Sequence, residues 1–191
     1  MPIFRLENPI QHYDWGTADA IPGLLGIDNP DGKPCAELWM GAHPKAPSIA
    51  ETEDGPVPLD RLIARAPIPA LGPTVAERFG PVLPFLFKVL SAAKPLSIQA
   101  HPPRFKAERG FAKENLEAVP LDAPERNYKD PNHKPEMLVA LEDFEGLCGF
   151  RPIPEILGLI RKVAPREYDQ IAGNLDRNPG KVELSVLFYR F

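Results

Sequence analysis

The chain has 191 residues, 43% of them hydrophobic, and a formal net charge of −4. This apolar content can support a folded core, while the dispersed lysines and arginines argue against nucleic acid as a partner. The longest apolar stretch, residues 81–90, is interrupted by Lys88 and is too short to cross a membrane. We therefore expect a globular protein that binds a small molecule or another protein.

Two cysteines, Cys35 and Cys148, lie far apart in the sequence and lack the paired spacing of a zinc-binding motif. They also make a poor disulfide framework, and the N-terminal residues lack the apolar segment of a secretion signal. We therefore expect a reducing compartment, the cytoplasm.

Proline is unusually frequent, with 25 prolines in 191 residues, where about 5% is typical. Because proline removes a backbone donor and fixes φ, this density favours short strands joined by stiff loops. Apolar or alternating runs predict such strands at residues 81–91, 95–100, 136–141 and 145–150. Helical spacing and good helix formers predict helices at residues 59–66 and 111–119.

After Pro154 the pattern becomes helical. Residues 154–164 predict a helix whose apolar face consists of Ile156, Leu157, Ile160 and Val163. Residues 166–175 and 181–191 predict two more helices, and the last has an apolar face of Leu184, Leu187, Phe188 and Phe191. That face must be buried on something. We predict a mainly β domain over residues 1–150 and the beginning of a helical domain over residues 151–191.

The segment around residue 99 carries a row of polar side chains. If residues 96–102 form a strand, Ser97, Gln99 and His101 lie on one face, because side chains alternate along a strand. Imidazole is a common zinc ligand, and an amide oxygen is a workable hard donor. Glu136, at the start of a later apolar run, could add a carboxylate oxygen.

Plainer interpretations remain open from spacing alone. His101 could be a structural histidine, Glu136 a solvated strand start, and His133 and Lys134 a polar turn. Lys88 lies in a strand that is apolar on both faces, so its ammonium needs a nearby acid or a substrate phosphate as a partner, unless it reaches solvent at the strand end. The residues therefore indicate a plausible metal site in a β domain.

Five motifs in the chain resemble one family in the same order. They are IQHYDWG, AELWMGAHP, LPFLFKVLSAAKPLSIQAHP, GFAKEN and YKDPNHKPE. Together they cover residues 1–150 and are similar to the type I mannose-6-phosphate isomerases, also called phosphomannose isomerases, of the cupin superfamily. The resemblance implies a cupin-type jelly-roll barrel, incomplete in this chain, that binds Zn²⁺ and interconverts mannose 6-phosphate and fructose 6-phosphate.

The resemblance also implies roles for nine residues. The implied metal ligands are Gln99, His101 and Glu136. The implied substrate-binding residues are Trp15, Glu37 and Ser97. The implied catalytic residues are Lys88, His133 and Lys134. The reaction moves a proton between C1 and C2 through an enediol, so it needs a base of tuned pKa and stabilisation of negative charge on oxygen. We expect burial and the metal to lower the pKa of Lys134.

Members of that family are roughly twice as long as this chain. A later part of them carries a fourth ligand, a histidine, and an essential arginine, and none of the four histidines here matches that position. The resemblance therefore predicts an N-terminal fragment with little or no isomerase activity of its own. The alternative is a non-catalytic metal- or sugar-phosphate-binding module. An incomplete barrel also predicts self-association through its open edge or through the C-terminal helix.

Overall fold

The computed structural model describes residues 3–189. The chain divides into two compact units, Met1–Gln99 and Ala100–Phe191. The domains predicted above, residues 1–150 and 151–191, rest on sequence character and stay a prediction. The two units are described separately below.

The first unit contains two small antiparallel sheets of three strands each. One sheet has the order β1-β4-β5, with strands Leu6–Glu7, Ile49–Thr52 and Gly55–Pro58. The other has the order β2-β3-β6, with strands Ile10–Gln11, Glu37–Met40 and Phe87–Leu90. The strand predicted at residues 81–91 is therefore confirmed, but it is limited to the four residues that find a partner in β3.

Short helices complete the first unit. They are α1 (Ala20–Leu25), α2 (Leu59–Arg65), α3 (Pro67–Leu71) and α4 (Pro73–Phe79). The helix predicted at residues 59–66 is confirmed as α2. Proline occupies the first turn of both α3 and α4, where its missing N–H costs no intrahelical hydrogen bond.

The core of the first unit lies against one face of β3. Ile21 of α1 packs with Cys35 and Leu38, and Ile10, Met40 and Val89 surround them. Because strand side chains alternate, Leu38 points into this core while Glu37 and Trp39 point to the other face of β3. Glu37 therefore lies on the face of β3 opposite the apolar cluster, although it is close to that cluster in the sequence.

The second unit is helical. Its helices are α5 (Arg104–Leu116), α6 (Ile153–Val163), α7 (Tyr168–Arg177) and α8 (Lys181–Phe188). The three helices predicted after Pro154 are confirmed, and Pro154 lies in the first turn of α6. The helix predicted at residues 111–119 is α5, which begins at Arg104, because Pro103 marks its N-terminal boundary, and ends at Leu116.

The last three helices share one core, made of Leu157, Tyr168, Ala172, Leu175 and Leu187. Ile156, Ile160 and Leu184 pack against it as predicted.

Val163 is 77% exposed, so its assignment to the buried face was wrong: it is the last residue of α6 and extends past the packed turns. Phe188 is also exposed, although its ring contacts Phe150 edge-on at 5.6 Å. Phe191 lies outside the described residues.

Three predicted strands do not form. Residues 95–100, 136–141 and 145–150 have no ladder hydrogen bonds and are exposed. A strand is stabilised by its partner, and in residues 3–189 no strand pairs with any of these runs. For the same reason the described residues form no closed barrel, and helices rather than strands make up most of their regular structure. The mainly β prediction is therefore not confirmed by this part of the chain.

Both cysteine thiols are free, with Cys35 buried and Cys148 exposed. Among residues 3–189, no helix has the length and apolar character needed to cross a membrane.

Candidate functional site

Strands β3 and β6 bring Lys88 to Glu37. In the antiparallel pair, Lys88 lies directly opposite Trp39, and Glu37 precedes Trp39 by two residues on the same face. The Lys88 Nζ donates to Glu37 Oε1 at 3.0 Å, and the Trp39 indole Nε1 donates to Glu37 Oε2 at 2.6 Å. The acid that the apolar strand predicts as a partner for Lys88 is therefore Glu37.

The surroundings of this pair determine what it can do. The Glu37 side chain is 8% exposed, while that of Lys88 is 35% exposed. A buried carboxylate is costly unless it is paired and hydrogen-bonded, and each Glu37 oxygen accepts one hydrogen bond. Lys88 keeps two further N–H donors for a ligand, since an ammonium has three. Glu37 thus orients Lys88, which is the group that can reach an anion or a sugar oxygen.

The other predicted site residues of the first unit are Trp15, Ser97 and Gln99. Trp15 is half-buried and stacks on Tyr13, with ring centroids 5.7 Å apart. Ser97 and Gln99 are exposed and lie in a segment without strand pairing. The predicted polar wall is therefore not built on a strand, because residues 95–100 lack a partner that would impose the alternation.

In the second unit, His101 contacts the segment of the YKDPNHKPE motif. The His101 Nδ1 lies 2.6 Å from the backbone oxygen of Lys134. A carbonyl oxygen only accepts, so Nδ1 carries the proton, and in the neutral ring the lone pair is on Nε2. Histidines that bind metals commonly hold their other ring nitrogen in this way. The loop thus fixes the tautomer that a metal ligand needs.

Glu136 adds a carboxylate beside the same imidazole. Its Oε2 lies 4.0 Å from His101 Nδ1. Because Nδ1 carries the proton, the nitrogen of His101 that could bind a metal is Nε2, and the carboxylate lies beside the ring that would present it. An imidazole nitrogen and a carboxylate oxygen fit Zn²⁺ chemically. Within residues 3–189, no group of three or more His, Cys, Asp or Glu side chains forms a metal-binding cluster.

Lys134 is held by an acid that the sequence did not single out. Its Nζ donates to Asp130 Oδ2 at 2.7 Å, and the backbone N–H of Asn132 donates to Asp130 Oδ1 at 2.9 Å. Burial raises the pKa of the Asp130 carboxyl, but the hydrogen bonds from Lys134 and Asn132 outweigh it and hold that pKa below its ordinary value. The Lys134 side chain is 54% exposed, so the burial expected for it was wrong.

A signal for Asp130 was present in the sequence. It lies four residues before Lys134 in a proline-rich loop, a spacing at which a turn can bring the two side chains together. Trp39 was also missed, although it lies two residues after Glu37, where strand alternation places both side chains on one face.

An open pocket of about 300 Å³ lies beside His101. Its lining consists of His101, Pro102, Pro103, His133, Lys134 and Pro135. Four of the nine predicted site residues, namely His101, His133, Lys134 and Glu136, thus lie on one pocket or at its edge. The volume is at the small end of the range for small-molecule sites. Rigid proline walls, an imidazole and an ammonium suit a small polar ligand.

Comparisons with known proteins identify relatives of the whole chain. Residues 3–153 match the family model described as phosphomannose isomerase type I, catalytic domain. The mannose-6-phosphate isomerase of Escherichia coli (strain K12) is 52% identical over 185 residues, which are 96% of this chain and 46% of that protein. The chain spans about half the length of the curated relatives it matches.

Solved structures of phosphomannose isomerases are also similar to this chain. A variant of phosphomannose isomerase from Salmonella typhimurium superposes with a TM-score of 0.89 at 47% identity, over 97% of this chain and 46% of that one. Mannose 6-phosphate isomerase from Salmonella typhimurium bound to its substrate and to a zinc atom superposes with a TM-score of 0.87 at 48% identity, with the same coverage.

Proposed function

The chain belongs to the type I phosphomannose isomerase family, and we propose that it supplies metal ligands and proton-handling groups for the interconversion of mannose 6-phosphate and fructose 6-phosphate. The observation that carries this proposal is the contact between His101 and the Lys134 backbone oxygen. That contact presents an imidazole in its metal-binding tautomer beside Glu136 and next to a pocket for a small polar ligand. A cytoplasmic location goes with this metabolic role.

The proposed metal is Zn²⁺, which relatives of this family bind in solved structures. His101 and Glu136 would hold it, and Gln99 is assigned as a third ligand on the sequence resemblance alone. When bound, Zn²⁺ would act as a Lewis acid that polarises sugar oxygens.

The remaining proposed groups act on the substrate directly. Isomerisation removes a proton from one carbon of the C1–C2 pair and returns one to the other, while negative charge develops on oxygen. Lys134, oriented by Asp130, is a positive donor for such an oxygen. His133 lines the same pocket and is a candidate for the proton transfer. Lys88, oriented by Glu37, is assigned to the substrate on the sequence resemblance alone, as are Trp15, Glu37 and Ser97.

A second candidate function is a binding module without turnover. It is favoured by the coverage, since the aligned region is 46% of the Escherichia coli relative. A chain that holds zinc and a sugar phosphate without groups supplied by the rest of such relatives would bind and fail to isomerise.

Zinc titration calorimetry and an isomerase assay on the 191-residue chain test the proposal. We expect zinc binding by the wild-type chain, about a tenfold loss of affinity or more in His101→Gln and Glu136→Gln, and no change in Glu145→Gln, which removes an exposed acid outside the pocket lining. Conversion of mannose 6-phosphate would establish the isomerase. Zinc and mannose 6-phosphate binding without conversion would establish the binding module, and absence of zinc binding would reject the metal site.

A further inference from the structure

A buried arginine, Arg126, lies in the loop between helix α5 and the segment that carries the candidate site. The Arg126 side chain is 1% exposed. Its guanidinium donates to the backbone oxygen of Tyr128 at 2.8 Å, to Asn115 Oδ1 at 2.6 Å and to the backbone oxygen of Val119. Arg126 therefore ties both ends of the loop 119–128 to the last turn of α5.

Glu114 of α5 also binds this loop, at its C-terminal end. Its carboxylate accepts hydrogen bonds from the backbone amides of Asn127 and Tyr128, at 3.0 and 2.8 Å, and it lies 3.7 Å from the Arg126 Nε. Burial raises the pKa of Glu114, but these hydrogen bonds and Arg126 outweigh it, so that the net pKa is below its ordinary value. The carboxylate form is the one that holds the loop.

Close packing supports these hydrogen bonds. A Cβ at Gly110 would clash with the Tyr128 ring, so the ring rests directly on the α5 backbone. The Arg126 guanidinium lies over the Phe111 ring, 5.0 Å from its centroid. The motif GFAKEN, residues 110–115, thus provides the glycine, the aromatic ring and both polar groups that receive the loop.

The held loop leads directly into the pocket. From Tyr128 the chain passes to Asp130, whose carboxylate binds the Lys134 ammonium, and the Lys134 backbone oxygen accepts the His101 Nδ1 proton. Every step of this path is a covalent connection over a few residues or a hydrogen bond of 2.7 Å or less. A displacement of Tyr128 would therefore move the Lys134 backbone oxygen, which is the acceptor that sets the His101 tautomer.

We propose that Glu114 and Arg126 are positioning residues that hold the 127–136 loop so that the Lys134 carbonyl fixes His101 with its proton on Nδ1. The proposal deepens the zinc site of the proposed function and rests on it for its biological meaning. Neither residue touches the pocket, and both act through the loop. The consequence is that loss of the Glu114 carboxylate weakens zinc binding without removing any ligand.

Two measurements on the full 191-residue chain test this. The first is nitrogen NMR of the zinc-free chain, which reports the tautomer of His101. We expect the Nδ1–H form in the wild-type chain and a mixture of both tautomers in Glu114→Gln. The second is calorimetric titration with zinc chloride, for which we expect about a tenfold loss of affinity in the same variant, since groups that orient metal ligands have effects of this size.

Glu117→Gln is the matched control. Glu117 follows α5 directly and its exposed carboxylate lies 3.6 Å from Lys113, so this change removes an acid close to Glu114 without touching the loop. Asn115→Ala is a milder second variant that removes one Arg126 acceptor. We expect wild-type behaviour in Glu117→Gln, and a smaller shift than that of Glu114→Gln in Asn115→Ala.

The outcomes separate the two proposals. A purely structural role for Glu114 would lower the melting temperature and leave the His101 tautomer and the zinc affinity of the folded chain unchanged, and that result overturns the inference. A wild-type His101 without a dominant Nδ1–H form also overturns it. A tautomer shift in Glu114→Gln, with no zinc binding by any chain, supports the inference and rejects the metal site of the proposed function.

Discussion

Individual side chains in this molecule act through contacts with a second charged or polar group. Glu37 joins Lys88 to Trp39, and Asp130 holds Lys134. In each case an acid fixes the direction of an ammonium that remains partly exposed. A lysine has a long flexible side chain whose immobilisation costs entropy, and an acid that holds it before the ligand arrives lowers the cost of binding.

The Glu37–Lys88 pair predicts that removing the lysine alone destabilises the folded chain. Lys88→Met keeps the apolar stem and removes the ammonium, which leaves the buried Glu37 carboxylate with only the Trp39 hydrogen bond. We expect a loss of about 2 kcal/mol in the free energy of unfolding, the usual size for a hydrogen bond to a charged group, measured by urea denaturation followed by tryptophan fluorescence.

The control for this prediction is Lys94→Met. Lys94 pairs with Asp14 at 3.8 Å with both side chains largely exposed, and such surface pairs contribute little. Equal unfolding curves for Lys88→Met and Lys94→Met would show that Glu37 does not depend on its lysine.

Among the secondary-structure elements, α5 differs from the later helices in how it is held. Helices α6, α7 and α8 are joined by an apolar core. Helix α5 has Ala107 as its only buried residue, and the loop 119–128 is attached to its last turns through Glu114, Asn115 and Arg126. A contact made by charges depends on pH, whereas an apolar core does not.

The hydrogen bonds from the loop to the Glu114 carboxylate therefore predict that stability depends on pH. The pKa of Glu114 is lower in the folded chain than its ordinary value of 4.5, so the folded state binds fewer protons there than the unfolded state. The stabilisation is fully present above the ordinary pKa and is lost as the pH falls towards the folded-state pKa. We expect the melting temperature of Glu114→Gln to fall less steeply than that of the wild-type chain below about pH 5.

Circular dichroism at several pH values measures this difference. Glu117→Gln should follow the wild-type curve, because its exposed carboxylate makes no bond to the loop. Parallel curves for the wild-type chain and Glu114→Gln between about pH 5 and about pH 3 would contradict the assignment of the stabilisation to Glu114.

On the scale of the whole molecule, the second unit exposes several large apolar side chains. Met137 is 91% exposed, Leu141 77% and Leu147 87%, all in runs without strand pairing. Helix α8 adds Val182, which is 70% exposed. Exposed apolar side chains in such numbers favour an interaction site or an aggregation hazard where they adjoin, and backbone without a strand partner adds groups that can pair with another chain.

We therefore predict that the 191-residue chain self-associates as its concentration rises. Light scattering after size exclusion should show the average mass increasing above that of the 21.1 kDa monomer. Met137→Glu combined with Leu141→Glu should restore the monomer if the unpaired run 136–141 forms the contact, and Val182→Glu should do so if α8 forms it. A monomer at every concentration would contradict the prediction.

The sequence alone determined the family, the proposed ligands and the helices after Pro154, because these depend on residue types at short spacing. Pro154 lies in the first turn of α6, and apolar residues at helical intervals form its buried face. The same reasoning predicted an acid as one partner for Lys88, since an ammonium in an apolar strand requires a partner.

Only the tertiary structure decided which apolar runs become strands and which polar groups meet. Residues 87–90 pair with β3, while residues 95–100 and 136–141 do not pair, although their local patterns are similar. A helix makes its hydrogen bonds within itself, whereas a strand needs a partner that is often remote in the sequence. The contacts of Glu37 with Lys88 and of His101 with the Lys134 carbonyl join residues 51 and 33 positions apart, so no local pattern contains them.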